Sequence, residues 1–284
     1  MSDLFNRDAT FIVGSVKIPI RSKSPPGVVV PNLRVTFSID KTDNRAPNKA
    51  TVAVYNLNET HRKTIAERQP ISIQAGYVGS TSLLFSGTIS KGGVKTVKDR
   101  VDWVSTFESG DGAKEYQTAR LNKSYGPGTP TIVVVQDLVN ALGVGIGNVK
   151  QKMNTAQTRK NIKEFKKGFV VAGQVSNSLN KVFTALGFQW SIQDEQVQIL
   201  LPGEATIESV VVLNPSSGLI GSPEVSEKGV VRFRSLLQGK IKPGRRVKIE
   251  SRSANGLFKV QKVHHLGDTW GADWYTDGEG KAVS

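Results

Sequence analysis

His264, His265 and Asp268 are the residues whose types and spacing come nearest to a metal site in this chain. Zinc and similar ions take imidazole and carboxylate ligands that converge on one point. In a strand, neighbouring side chains point to opposite faces. His264 and His265 therefore do not readily share an ion and read as ordinary strand or turn residues. His61 stands alone on what reads as a short exposed helix. Gly143-Val144-Gly145-Ile146-Gly147 has the glycine density of a phosphate cradle. It lacks a following Gly-Lys-Ser/Thr and the strand–turn–helix frame of a dinucleotide site, so it reads as a turn after a helix. No Gly-x-Ser-x-Gly elbow occurs. The 24 carboxylates are scattered, and nothing selects a pair for glycoside hydrolysis. The chain has no cysteine, which removes disulfides, thiolate metal sites and thiol nucleophiles together. The sequence thus nominates no catalytic residue, no cofactor and no metal ligand.

The charge is more informative. The 284 residues carry a formal +14, and much of it is concentrated. Between Lys150 and Val170 seven basic residues, Arg159 and Lys160 among them, face Glu164 alone. Between Lys228 and Lys262 eleven face Glu250 alone. The remainder of the chain is close to neutral, so the positive field belongs to particular surfaces. Arg232 and Arg234 occupy alternate positions of a strand pattern and share a face. Arg245, Arg246 and Lys248 follow in the same stretch. These five are the candidate contacts for a polyanion, whose affinity would fall steeply with salt, or for acidic neighbours in an assembly. Aromatic residues for base stacking are sparse here: Phe233 and Phe258 both fit the core side.

The elements that must position these groups are mostly strands. Leu33, Val35, Phe37 and Ile39 alternate with polar residues, the period of a half-buried strand. Val52 and Val54 continue the pattern, as do Ile71, Ile73, Ala75 and Tyr77. Leu83–Ile89 and Val101–Phe107 read as further strands. Asn58 is placed to cap a short helix reaching about Arg68. From about Gly112 the pattern changes. Thr129-Pro130 reads as a cap and first helical residue, and Ile132–Leu142 as a helix ended by Gly143, while the β-branched run Ile132–Val135 argues for strand instead. The basic segment 150–168 reads as an exposed loop. Val175, Leu179, Val182, Phe183 and Leu186 fall on one helical face, closed by Gly187. Phe188–Ile192 and Val197–Leu201 read as a hairpin about Asp194-Glu195. After residue 204 strand patterns return, with an Asn255-Gly256 hairpin signal and a Gly-rich tail from Asp277 that reads as frayed. The expected fold is mainly β with an α+β insertion: residues 1–111 a β domain, 112–203 the insertion, 204–284 a second β region. No run reaches the roughly 18 apolar residues of a membrane span, and Met1–Asn6 does not read as a secretory signal.

Several motifs in order resemble the hub proteins of contractile-tail bacteriophage baseplates. They are Phe37-Ser38-Ile39-Asp40-Lys41-Thr42, Asn48-Lys49-Ala50, Val54-Tyr55-Asn56-Leu57, Ala75-Gly76-Tyr77 and Leu84-Phe85-Ser86-Gly87-Thr88-Ile89. Towards the C-terminus, Ser235-Leu236-Leu237, Ile241–Val247 and Val263–Gly271 continue the likeness. The resemblance implies tail-tube-like β-barrel domains flanking the insertion. It also implies a homotrimer that joins the hexameric tail tube protein to the trimeric central spike protein among other baseplate proteins. Its channel would pass the tape measure and then DNA as transiting cargo. It implies a virion location after assembly in the host cytoplasm, and no small-molecule substrate. Some hubs carry a cell-wall-degrading domain; here the two β regions and the insertion account for the whole chain. Two other readings stay open: a non-specific nucleic-acid-binding module, and another tube-end or tail-tip subunit.

Overall fold

The computed structural model describes residues 6–21, 33–155 and 163–283. Arg159, Lys160 and the first five residues lie outside them. Two compact units emerge: residues 1–42, 48–110 and 205–284 form one, and residues 43–47 and 111–204 form the other.

The first unit is built on a 13-stranded sheet. Its strands are β1 (Arg7–Val13), β2 (Val16–Arg21), β3 (Val35–Thr42), β4 (Lys49–Tyr55), β5 (Pro70–Tyr77), β6 (Ser80–Asp99) and β7 (Asp102–Gly110). After the second unit (β8–β13 below) come β14 (Val211–Leu213), β15 (Leu219–Val225), β16 (Val230–Leu236), β17 (Arg246–Glu250), β18 (Asn255–Asp268) and β19 (Trp274–Ala282). The order is β15-β16-β19-β18-β3-β4-β7-β6-β5-β1-β2, with β17 on β18 and β14 on β17. Strands from both ends of the chain therefore meet at β18 and β3, which pair antiparallel from Lys262↔Thr42 to Asp268↔Thr36. One sheet serves two apolar cores. Phe11, Phe37, Val52, Ile73 and Phe85 belong to the first. Leu213, Val231, Ile241, Val247 and Val260 belong to the second. The alternation in β3 is as expected, with Val35, Phe37 and Ile39 buried and the residues between them partly open. It also draws Lys41 inward, where its ammonium donates to the Leu84 carbonyl.

Some expectations are corrected. Asn58 does cap a helix, accepting from the His61 amide at 2.7 Å, but α1 (Glu59–Thr64) stops short because Ile65 is extended. Asn255-Gly256 is not a turn. Glu250 pairs with Asn255 and Ile249 with Gly256, so the chain reverses over Ser251–Ala254. The segment from Asp277 is not frayed but lies in β19, an interior strand between β16 and β18. Its glycines are there for packing: a Cβ at Gly278 would run into the Phe233 ring.

The second unit is α+β. It holds α2 (Ala113–Thr118), α3 (Thr131–Leu142), α4 (Val149–Met153) and α5 (Val175–Ala185). Three two-stranded sheets accompany them: β8 (Arg120–Tyr125) with β11 (Phe169–Gln174), β9 (Thr129–Pro130) with β10 (Glu164–Phe165), and β12 (Gln189–Gln193) with β13 (Gln196–Leu200). Thr129 and Pro130 form β9 rather than a cap and first helical residue, and α3 follows directly; Gly143 ends it in the left-handed conformation. The segment 150–168 is not one exposed loop in its described parts. Lys152 lies in α4, buried beside Glu204, and Glu164 and Phe165 are paired. The Gly143–Gly147 turn packs on the β12–β13 hairpin: Gly145 donates to the Glu195 carbonyl and accepts from Val197. A Cβ at Gly147 would overlap the Val197 carbonyl.

Candidate functional site: a charge-striped sheet face

The open face of the first unit's sheet carries two of the five candidate residues. Period-two alternation places Arg232 and Arg234 of β16 outward, with Phe233 buried between them. Their neighbour β19 presents Asp277 and Glu279 outward. Antiparallel register sets these groups in rows. One row reads Arg234↔Asp277↔His264↔Asp40↔Lys49. The next reads Glu224↔Arg232↔Glu279↔Lys262. Within these two rows each strand carries one sign and its neighbours the other, so this part of the face is striped: β15 negative, β16 positive, β19 negative, β18 positive, β3 negative, β4 positive. In these two rows four cations meet four carboxylates, with His264 between two of the latter. Lys281 lies one step beyond them on β19.

The pairs are made. Arg234 forks onto Asp277, Nε to Oδ1 at 2.6 Å and Nη2 to Oδ2 at 2.9 Å. Its guanidinium also lies over the Tyr275 ring, 4.1 Å from the centroid. The hydrogen bond to Asp277 raises the Arg234 pKa further, against a smaller effect of burial. Arg232 reaches Glu279 at 3.4 Å. His264 Nδ1 lies 3.0 Å from Asp40. Such exposed cross-strand pairs contribute only about 0–1 kcal/mol each; their larger effect is on the field. Asp40, Glu224, Arg232, Lys262 and Asp277 line a concavity of about 680 Å³ on this face.

Arg245, Arg246 and Lys248 are elsewhere. Arg246 and Lys248 are in β17, whose neighbours are β14 and β18, so the structure does not join them to Arg232 and Arg234 in one patch. Two of the three have company. Arg245 lies 3.5 Å from Glu208 and Lys248 2.7 Å from Glu250. The Lys248 and Asn214 hydrogen bonds hold the Glu250 carboxyl below its usual range. Arg246 Nε is buried without a hydrogen-bond partner. His264 and His265 point to opposite faces as expected. His265 is in the core, 2.9 Å from Thr276 Oγ1. Among the described residues no three His, Cys, Asp or Glu side chains converge as a metal site.

A second feature went unread in the sequence. Arg7 donates to the Asp268 and Gly271 carbonyls at 2.7 and 2.6 Å, and Arg34 forks onto the Asp268 carboxylate. Burial pushes the Asp268 pKa up, but hydrogen bonds from Arg34 and from the Trp270 and Gly271 amides outweigh it and hold it low. The braced loop leaves Trp270 69 % exposed. Arg7 and Arg34 lie more than 230 residues from Asp268, so no local pattern signals the arrangement.

This architecture is that of phage-tail proteins. The tail protein from Neisseria meningitidis MC58 superposes with a TM-score of 0.63 at 8 % identity, over 98 % of this chain and 97 % of that one. The prophage MuSo2 43 kDa tail protein from Shewanella oneidensis gives 0.65 at 6 % identity, over 97 % and 98 %. The E. coli c3393 protein, a type VI secretion component with structural similarity to T4 tail proteins gp27 and gp5, gives 0.54 at 12 %, over 91 % and 76 %. A sequence search finds no match among curated proteins. The family model of the baseplate hub gp41 matches residues 15–279. The chain belongs to that family of bacteriophage baseplate hub proteins.

Proposed function

We propose that this chain is a structural hub subunit of a phage tail, working by assembly and not by catalysis. In this reading three copies close a ring between the hexameric tail tube and the trimeric spike. Tube-like barrels enclose the channel for tape measure and DNA, and other baseplate proteins surround it. The observation that carries the reading is the single sheet that wraps two cores, joined at β3 and β18 by strands from either end of the sequence. In this reading the two cores on one continuous sheet supply a subunit with two tube-like halves. Three such subunits then match a sixfold partner at one end and a threefold partner at the other. In this reading Arg232, Arg234, Arg245, Arg246 and Lys248 are contacts for a polyanion or for neighbouring proteins of the assembly.

Light scattering on the purified chain, alone and with its tube and spike proteins, tests this. A trimer is expected in at least one of these mixtures. A chain that stays monomeric in all of them would overturn the reading, and a ring of six would favour a tube-end subunit.

A further inference from the structure

We infer that the outer edge of β11, in the second unit, is a docking site for an extended acidic segment of another protein, which adds to it as a third strand. The inference goes beyond the hub reading and does not depend on it.

A free strand edge presents unpaired amides and carbonyls, and folded proteins guard such edges with charges, proline, bulges or cover. Other edges of this chain are guarded. β2 exposes Lys17 and Pro19. β15 is broken by a bulge between Ile220 and Glu224 and contains Pro223. β8 exposes Arg120 and Lys123. β13 is covered, because the Asn148 side chain bonds both the amide and the carbonyl of Ile199. β11 has none of these devices. Phe169-Val170-Val171-Ala172 holds no charge and no proline, and Val170 is 67 % exposed. Among the described residues its ladder partner is β8 alone, and no backbone group of residues 169–172 bonds outside that ladder. Further along, the Asn122 side chain takes the Gly173 amide, so the open edge ends there.

The chain that flanks the open edge selects its occupant. The Gly168 amide donates to the Phe165 carbonyl at 3.1 Å and closes a turn. The Phe165 and Phe169 rings stack across its base, 4.5 Å between centroids. Gly168 has φ +79°, and a Cβ there would strike the Tyr125 carbonyl. The turn is thereby fixed, and it presents Lys166 and Lys167 to solvent, with Lys163 exposed just before β10. Lys123 and Lys152 of the same unit have carboxylate partners; these three lysines have none among the described residues. Glu164 is the one carboxylate in this run. An edge that alternates donors and acceptors is complemented by another backbone, whereas phosphates would meet its carbonyls with like charge. A second copy paired antiparallel on β11 would set the two lysine turns at opposite ends, both uncompensated. An extended segment with carboxylates beside Lys166 and Lys167 satisfies edge and charge together.

The test uses the full chain and two labelled peptides of about ten residues, each alternating valine and threonine. One is acidic at its N-terminal end and the other at its C-terminal end, so both strand directions are sampled. One of them is expected to bind and to slow hydrogen exchange at alternate amides of residues 169–172 on the order of tenfold. Lys163→Gln with Lys166→Gln and Lys167→Gln should weaken that peptide about tenfold and flatten its salt dependence. The inference fails if neither peptide binds, if binding leaves the β11 amides unchanged, or if the triple variant binds as well as the wild type. Random-sequence duplex DNA that binds as tightly as the peptide, and is released by the same substitutions, would assign the lysines to nucleic acid and overturn it. Self-association abolished by Val170→Lys would assign the edge to a second copy and overturn it too. Circular dichroism confirms folding of each variant. A chain that never trimerises, yet protects β11 on binding the acidic peptide, would sink the hub reading alone.

Discussion

The two units use carboxylates in opposite ways. On the striped face of the first, Asp40, Asp277 and Glu279 are partly or fully open to solvent and face cations across strands. In the second, Asp111 is fully buried and accepts the Asp194 and Glu195 amides at 2.6 and 2.5 Å. Both of those residues have positive φ, so the amides of a tight turn aim at one carboxylate and give the hairpin a fixed anchor. Asp137 is intermediate, held by Lys123 and by the buried Tyr125 hydroxyl. A carboxylate that supports buried backbone is worth stability; one that faces an exposed arginine mainly shapes the field. Charge counted along the sequence does not distinguish the two.

The contrast is sharpest for Asp111→Ala. It leaves two amides of the turn without their acceptor and should cost about 2–4 kcal/mol in urea unfolding. Asp277→Asn, by comparison, should cost no more than about 1 kcal/mol. Equal costs would erase the distinction between the units. Tyr125 and Asp137 make a smaller, pH-dependent case. Burial first, and then the Asp137 carboxylate, push the Tyr125 pKa up to about 12 from 10.0. A phenol harder to ionise when folded stabilises the fold fully below pH 10, and that contribution is lost as pH rises from there towards about 12. Asp137 runs the other way. The Lys123 hydrogen bond chiefly lowers its pKa, with Tyr125 adding to this against burial. Its contribution is present above its ordinary 3.8 and fades as pH falls below that. Tyr125→Phe should therefore remove part of the stability loss above pH 10 and slightly shallow the acid limb, both read from urea midpoints across pH. An unchanged alkaline limb would show that Tyr125 ionises as freely folded as unfolded.

What the sequence disclosed was what is decided locally. The apolar spacing from Val175 to Leu186, the Asn58 cap and the hairpin around Asp194-Glu195 involve partners a few residues away, and all three are present in the structure. The mainly β class was legible from strand alternation in the same way. The errors share one cause, distance along the chain. Asn255-Gly256 has turn chemistry, but pairing of β17 with β18 places it in a strand. The glycines after Asp277 suggested fraying until Phe233, more than forty residues earlier, proved to need the room. The eleven basic residues from Lys228 to Lys262 suggested an open positive field. Apart from Glu250, their compensating acids, Glu208, Glu224, Asp277 and Glu279, lie outside that stretch. Strand register brings most of these acids opposite the bases, and sequence composition contains no register.

The pairing of β3 with β18 also orders events in folding. β3 finds β4 after a short loop, but its other edge waits for a partner such as His264, 224 residues from Asp40. Closing so long a loop is entropically costly before any contact offsets it. Helices and hairpins of the second unit can form within the intervening chain meanwhile. The seam between the two cores is then the slow step of refolding, and until it closes an unpaired β3 edge is open to neighbouring chains. Dilution, which slows encounters between molecules but not closure within one, should raise the yield of refolded protein.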